Sequence, residues 1–292
     1  MSQINKIVVL GGDERQYYMT LQLKQLDYPI AVYGLDMKDK KDSIYEAISM
    51  KEALSFGNIV ICSVPCSRDN INLYTRCHAP DLTIGALLDG LTGNHILFGG
   101  AICPPIKEYC TKNHICYFDF MDMESVAIAN AVATAEGSIA EAIIRSPGVL
   151  HQSNCVILGF GRCGKILADK LSGLKAHVTI TARSEEALCL AQSYGYDTVS
   201  MFDMNQCLAK AAYIFNTVPF LVLDSSNLSY VQKNATIIDI ASAPGGVNYE
   251  YCKQMNINAA LCLGLPGKYA PLTSAQILTD ALLTAITTYT SS

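Results

Sequence analysis

The chain has 292 residues, half of them hydrophobic, and a formal net charge of −5. That length suits two domains of ordinary size, and with no basic block or stripe nothing in the charge balance points to nucleic acid, which is not expected as a partner. Twelve cysteines are scattered without a CxxC pair, several inside apolar runs (Cys62, Cys155, Cys262), as expected of reduced thiols in a cytoplasmic protein.

The N-terminus runs directly into a short strand at residues 6–10 (KIVVL), with too little apolar length for a signal peptide. The turn Gly11-Gly12-Asp13-Glu14-Arg15-Gln16 follows, then a helix through Leu26. Lacking the third glycine of a dinucleotide fingerprint, this turn offers instead a helix N-terminus beside Arg15, suited to a small carboxylate. Asp13 and Ser63, each just past the end of an expected strand, join Arg15 as substrate-binding candidates. Further strands are expected at 29–33, 58–62, 95–98 and 115–118, alternating with helix-length segments, which implies a parallel sheet covered on both faces. Cys62 and Cys66 flank Ser63-Val64-Pro65 but lack the further ligands a metal site needs.

Residues 125–145 are apolar and rich in small side chains, and the window 273–289 is similar; both contain acids (Glu136, Glu141, Asp280) and read as buried helices rather than membrane spans. Within the first, Thr134-Ala135-Glu136-Gly137 breaks the helical pattern with a glycine, which makes Glu136 a candidate polar residue facing a cleft.

The stretch 155–183 (CVILGFGRCGKILADKLSGLKAHVTITAR) carries the most specific signal. An apolar strand ends at Gly159, the turn Gly159-Phe160-Gly161-Arg162-Cys163-Gly164 follows, and a helix leads to a second strand at 177–181. This is a dinucleotide fingerprint in its βαβ context: Gly159 for the tight turn, Gly161 for backbone approach to a pyrophosphate, Gly164 for close helix packing. The second strand ends Thr181-Ala182-Arg183-Ser184 without the acid an NAD site places on the ribose, so Arg183 and Ser184 favour NADP. Glu185 and Glu186 read as first-turn helix acids with Ser184 as N-cap. Later strand ends, Asn216-Thr217-Val218-Pro219, Ala241-Ser242 and Leu265-Pro266, are expected to line the cofactor, and Lys268 in the loop 264–271 to reach a bound carboxylate.

The two halves run in parallel: KIVVLGG with CVILGFG, IVICSVP with YIFNTVP, HILFGGA with TIIDIAS. The expected fold is α/β, two Rossmann-type doubly wound parallel-sheet domains in series with a cleft between them. The first covers residues 1–124, a linking helix 125–150, and the cofactor domain 151–272, with the C-terminal helix 273–292 placed to pack back on the first domain.

Taken together, Gly11 to Gln16, Thr134 to Gly137, the glycine turn with Ala182-Arg183-Ser184, Ala241-Ser242-Ala243-Pro244-Gly245-Gly246 and Gly264-Leu265-Pro266-Gly267 resemble the family of dipicolinate synthase A subunits from endospore-forming bacteria. The resemblance covers essentially the full length. It implies NADP-dependent oxidation of a dihydrodipicolinate-level intermediate to pyridine-2,6-dicarboxylate and a second, flavoprotein-like B subunit; a homo-oligomer is also compatible. No catalytic residue is carried over from the family. On residue chemistry, Arg15 and Lys268 would bind carboxylates, and Glu136 or water would take the proton, giving Glu136 and Lys268 as catalytic candidates.

Two other readings stay open. A D-2-hydroxyacid dehydrogenase shares the layout but needs an acid–base histidine, and beyond residue 150 only His151 and His177 occur, at the entrance of one strand and inside the next. A non-catalytic NADP-binding subunit fits the absence of a sharp acid–base constellation.

Overall fold

The computed structural model of the chain describes residues 5–38 and 44–290. It forms two compact units, Met1–Ala127 with Pro271–Ser292, and Ile128–Ala270.

The first unit contains β1 (Ile7–Leu10), α1 (Glu14–Gln25), β2 (Ile30–Tyr33), β3 (Tyr45–Glu46), α2 (Met50–Phe56), β4 (Ile59–Cys62), α3 (Ile84–Gly90), β5 (Ile96–Gly99), α4 (Pro104–Lys112) and β6 (Cys116–Asp119). Its strands form a parallel sheet in the order β3-β2-β1-β4-β5-β6. Side chains alternate across a strand, so Val8 and Leu10 enter one core while Ile7 and Val9 enter the other. Both faces are buried, which is why these strands are continuous apolar runs.

In the second unit lie most of α5 (Glu124–Arg145), then β7 (Asn154–Leu158), α6 (Arg162–Gly173), β8 (His177–Ala182), α7 (Glu185–Ser193), β9 (Asp197–Ser200), α8 (Asn205–Leu208), β10 (Tyr213–Asn216), α9 (Ser225–Leu228), β11 (Thr236–Asp239), α10 (Tyr249–Met255), β12 (Asn258–Leu261) and α11 (Leu265–Tyr269). The sheet order β12-β11-β10-β7-β8-β9, again all parallel, is the same winding as in the first unit. The order reverses beside β1 in one sheet and beside β7 in the other, and ligands of such sheets bind outside the strand ends at that switch.

The final helix, α12 (Pro271–Thr290), belongs to the first unit, where Ala275, Leu278, Leu282 and Ile286 join Met19 and Leu23 of α1 in one apolar core.

Two expectations change. Residues 134–137 do not interrupt α5, which is continuous. A side chain on Gly137 would meet Leu265 and Tyr269, so this glycine lets α11 approach the helix rather than breaking it. By length and composition α5 is apolar enough to cross a membrane; in this fold it buries Ala131, Ala133, Ala135, Ser138 and Ala142. The segment 264–271 is not a loop but contains α11, started by Gly264 at φ +66° with Pro266 in its first turn.

Candidate functional site

In the second unit, β7 delivers the chain to Gly159, whose φ of +94° lies in the region that glycine alone adopts readily. Thr217 closes over this turn, its hydroxyl donating to the carbonyl of Leu158 at 2.8 Å. A Cβ on Gly164 would strike the carbonyl of Gly159, so the first turn of α6 presses directly on the strand end. Gly161 differs: it is the N-cap of α6, with no side-chain cap, and a Cβ there would meet nothing within 4 Å. The space in front of it adjoins the N–H groups and positive dipole end of a helix. The cradle has room for a dinucleotide pyrophosphate, since no protein atom fills the space that a side chain at position 161 would occupy.

The tip of β8 carries no carboxylate. Arg183 is exposed, with its guanidinium carbon 4.4 Å from the centroid of the Phe220 ring. Ser184 caps α7 by accepting from the N–H of Ala187, and Glu185 and Glu186 lie in that helix's first turn.

Around this turn the other strand ends serve mainly to hold one another. Asn216 is fully buried and its amide donates to Asp239 at 2.9 Å and to the carbonyl of Val218 at 3.0 Å. Asp239, also fully buried, accepts four hydrogen bonds: Asn216 Nδ2 and Ala241 N on Oδ1, Gly246 N and the Tyr249 hydroxyl on Oδ2. Burial and then the Asp239 carboxylate push the Tyr249 phenol far above its ordinary value, so it stays a donor. Asn216 is therefore a structural amide, while Val218 and Ala241 are buried and Pro219 and Ser242 exposed. Phe160 is buried, Arg162 exposed and Cys163 half-buried beside the turn. Leu265 packs in the core against α5, and Pro266 lies partly buried in α11.

The two catalytic candidates are both in ion pairs. Glu136 is exposed and meets Lys170 at 2.7 Å. Lys170 lies eight residues past the start of α6, about 12 Å down the helix from the glycine turn. Lys268 pairs with Glu141, a carboxylate with 5% side-chain exposure that also accepts from Tyr269 at 2.9 Å and Arg145 at 2.9 Å. Burial pushes the Glu141 carboxyl up, but the hydrogen bonds from Lys268, Tyr269 and Arg145 outweigh it and bring it down to about 2.

That depression makes a pH prediction. A carboxyl whose folded pKa lies below its unfolded value of 4.5 contributes stability above pH 4.5 that is lost as pH falls toward 2. Glu141→Gln should unfold about 1–2 kcal/mol more easily at pH 7, a modest figure because Lys268 is solvent-screened. The gap should narrow by pH 3 in denaturant titrations; a gap constant with pH would show that the carboxylate charge is not what holds α11 to α5.

In the first unit, Asp13 caps α1, and Arg15 turns its fork back on it, Nε to Oδ1 at 3.0 Å and Nη2 to Oδ2 at 2.8 Å, with a further bond to the Val64 carbonyl. Burial raises the Asp13 carboxyl and Arg15 more than offsets it, for a net depression. The anion beside this helix N-terminus is thus the protein's own Asp13. Ser63 is fully buried and donates to the Pro65 carbonyl at 2.9 Å. Sequence reading missed Phe220, Tyr249 and Glu141; the glycine pair Gly245-Gly246, which closes around Asp239, was the available signal for that carboxylate.

Residues 6–121 match the family described as the N-terminal domain of the dipicolinate synthase A subunit, and residues 154–243 the family described as NADP oxidoreductase, coenzyme F420-dependent. The chain is 27% identical over 280 residues to the A subunit of dipicolinate synthase from Bacillus subtilis (strain 168), covering 95% of this chain and 94% of that one. The crystal structure of the dipicolinate synthase A subunit from Bacillus halodurans superposes with a TM-score of 0.90 at 26% identity, covering 98% of each chain. An L-alanine dehydrogenase shares the fold at a TM-score of 0.64 and 15% identity over 95% of this chain and 88% of its own. The second unit is a nicotinamide-dinucleotide-binding domain of the oxidoreductase type.

Proposed function

The chain is a relative of the dipicolinate synthase A subunit along its whole length, and on that premise we propose that it oxidises a dihydrodipicolinate-level intermediate to pyridine-2,6-dicarboxylate with NADP during endospore formation. The observation that carries the cofactor half is the pairing of an open Gly161 cradle with an acid-free β8 tip bearing Arg183.

When bound, NADP supplies a hydride acceptor at its nicotinamide ring. The reaction removes a hydride and a proton from a dihydropyridine dicarboxylate and yields an aromatic ring. Aromatisation drives it, so the protein needs to orient the substrate more than to activate it. The first-turn N–H groups of α6 hold the pyrophosphate, and Gly161 keeps the approach clear. Arg183, packed on Phe220, and Ser184 bind the 2′-phosphate. Glu136 and Lys268 each have a salt-bridge partner, Lys170 and Glu141, so in this reading the proton passes to water. Arg15 would have to exchange Asp13 for a substrate oxygen to bind it directly.

The relatives are named as one component of a synthase, and we extend this to the present chain: a flavoprotein-like B subunit works with it in the cytoplasm. The paired state of every candidate base also supports a second reading, in which this chain binds NADP and the partner completes the chemistry.

The test is dipicolinate absorbance from freshly generated dihydro precursor and NADP, with and without the partner protein. Turnover by the chain alone places the chemistry here; turnover only with the partner favours the second reading. Arg183→Gln is expected to weaken NADPH binding about tenfold or more while leaving NADH binding unchanged. Equal losses for both cofactors in a fluorescence titration would remove Arg183 from the 2′-phosphate.

A further inference from the structure

Between β4 and α3, residues 63–83 contain no helix and no strand of the main sheet. Connections of this length in compact domains are uncommon and usually functional. This one is firmly held: the Tyr74 carbonyl accepts from Gly12 N at 2.8 Å, Tyr74 N donates to the Cys66 carbonyl at 2.9 Å, and Leu73 N to the Leu82 carbonyl at 3.0 Å. Asp69 locks its exposed bend by accepting from the N–H groups of Asn72 and Ile71 at 2.8 and 2.9 Å. The excursion thereby crosses the Gly11-Gly12 turn at the end of β1, the switch point of the first sheet, where doubly wound folds bind their ligands.

Two cations stand on it around one ring. The Arg68 guanidinium carbon lies 3.9 Å from the centroid of Tyr74, and the Tyr74 side chain, two residues before Arg76, raises the Arg76 guanidinium above its ordinary value. The carboxylates whose charge reaches Arg76 are Asp13 and Glu14. Both are already engaged, Asp13 by Arg15 at 2.8 Å and Glu14 by Lys38 at 2.6 Å. Among the described residues neither Arg68 nor Arg76 has a carboxylate within salt-bridge distance. At the same helix start, Gln16 is fully buried and its Nε2 has no acceptor. The turn therefore presents donors in excess of acceptors, with both arginines exposed.

We propose that Arg68, packed on Tyr74, and Arg76 on the same excursion are the carboxylate-binding residues for a small dicarboxylate, one guanidinium for each carboxylate. This rests on the reading of the chain as acting on a pyridine dicarboxylate. Guanidinium suits the role because its planar fork engages both oxygens of a carboxylate, and packing on the tyrosine lowers the entropy lost on binding.

The test is isothermal titration of the full chain in metal-free buffer with pyridine-2,6-dicarboxylate and, separately, pyridine-2-carboxylate. Wild type, Arg68→Gln, Arg76→Gln and the double variant are compared, with NADPH affinity and melting temperature as controls. Each single change is expected to weaken dicarboxylate binding about tenfold or more. The preference for two carboxylates over one should collapse in the double variant, with NADPH affinity and melting temperature unchanged. Unchanged dicarboxylate affinity in the double variant, or no binding by wild type, overturns the proposal. Arginine-dependent binding without turnover would leave this site standing and sink the oxidation reading; turnover with arginine-independent binding would do the reverse.

Discussion

Replacing Gly161 by valine is expected to leave folding untouched and weaken NADPH binding at least about 100-fold. The N-cap backbone at this position, φ −82° and ψ −160°, is extended and open to any residue, and a Cβ meets no protein atom within 4 Å. A side chain there would stand in the path of a ligand lying along the N-terminus of α6. Gly159 and Gly164 are different cases: the first is at φ +94° against Thr217, and the second presses on the Gly159 carbonyl. Alanine at either should lower stability as well as binding. Melting temperature and fluorescence titration with NADPH, measured on the same samples, separate the two effects. An unchanged dissociation constant for Gly161→Val would mean that no dinucleotide approaches this turn.

Asp239→Ala is expected to destabilise the protein by about 3–5 kcal/mol. The carboxylate is fully buried and satisfies two main-chain N–H groups, the Asn216 amide and the Tyr249 hydroxyl. Removing it takes the acceptor from both main-chain N–H groups and the Tyr249 hydroxyl and leaves the Asn216 amide only its bond to the Val218 carbonyl, and the Tyr249 phenol cannot ionise to adapt, since burial pushes it up. The loop 241–246 loses its anchor at the same time. Gly245, at φ +86°, and Gly246 are wrapped so tightly around this group that a Cβ on either would collide with Asp239 or Asn216. Asp239→Asn keeps the shape but turns an amide N–H₂ toward donors, so an intermediate loss is expected. Urea unfolding measures both; a loss below about 1 kcal/mol for the alanine variant would show that water replaces the carboxylate.

The relation between sequence and site follows from these residues. The βαβ fingerprint was legible because its glycines answer local demands: φ at Gly159, close helix approach at Gly164 and an open N-cap at Gly161 all leave a mark within six residues. The absence of an acid after β8 was equally plain. β3 and β9 were not read, since one is two exposed residues and the other, Asp197–Ser200, is polar at a sheet edge. Helix α11 was hidden by its glycine and proline, which read as loop residues but here start a helix.

The linear chain by itself determined the two parallel-sheet units and the glycine turn after β7, because buried parallel strands and tight βα turns are specified by neighbours in sequence. Tertiary structure alone decided the state of the charged candidates. Arg15 is committed to Asp13, Lys268 to Glu141, and Glu136 to Lys170. Two of these pairs join residues 127 or 34 positions apart. Whether an ionisable side chain is spoken for depends on which distant segment folds against it, and no local pattern encodes that.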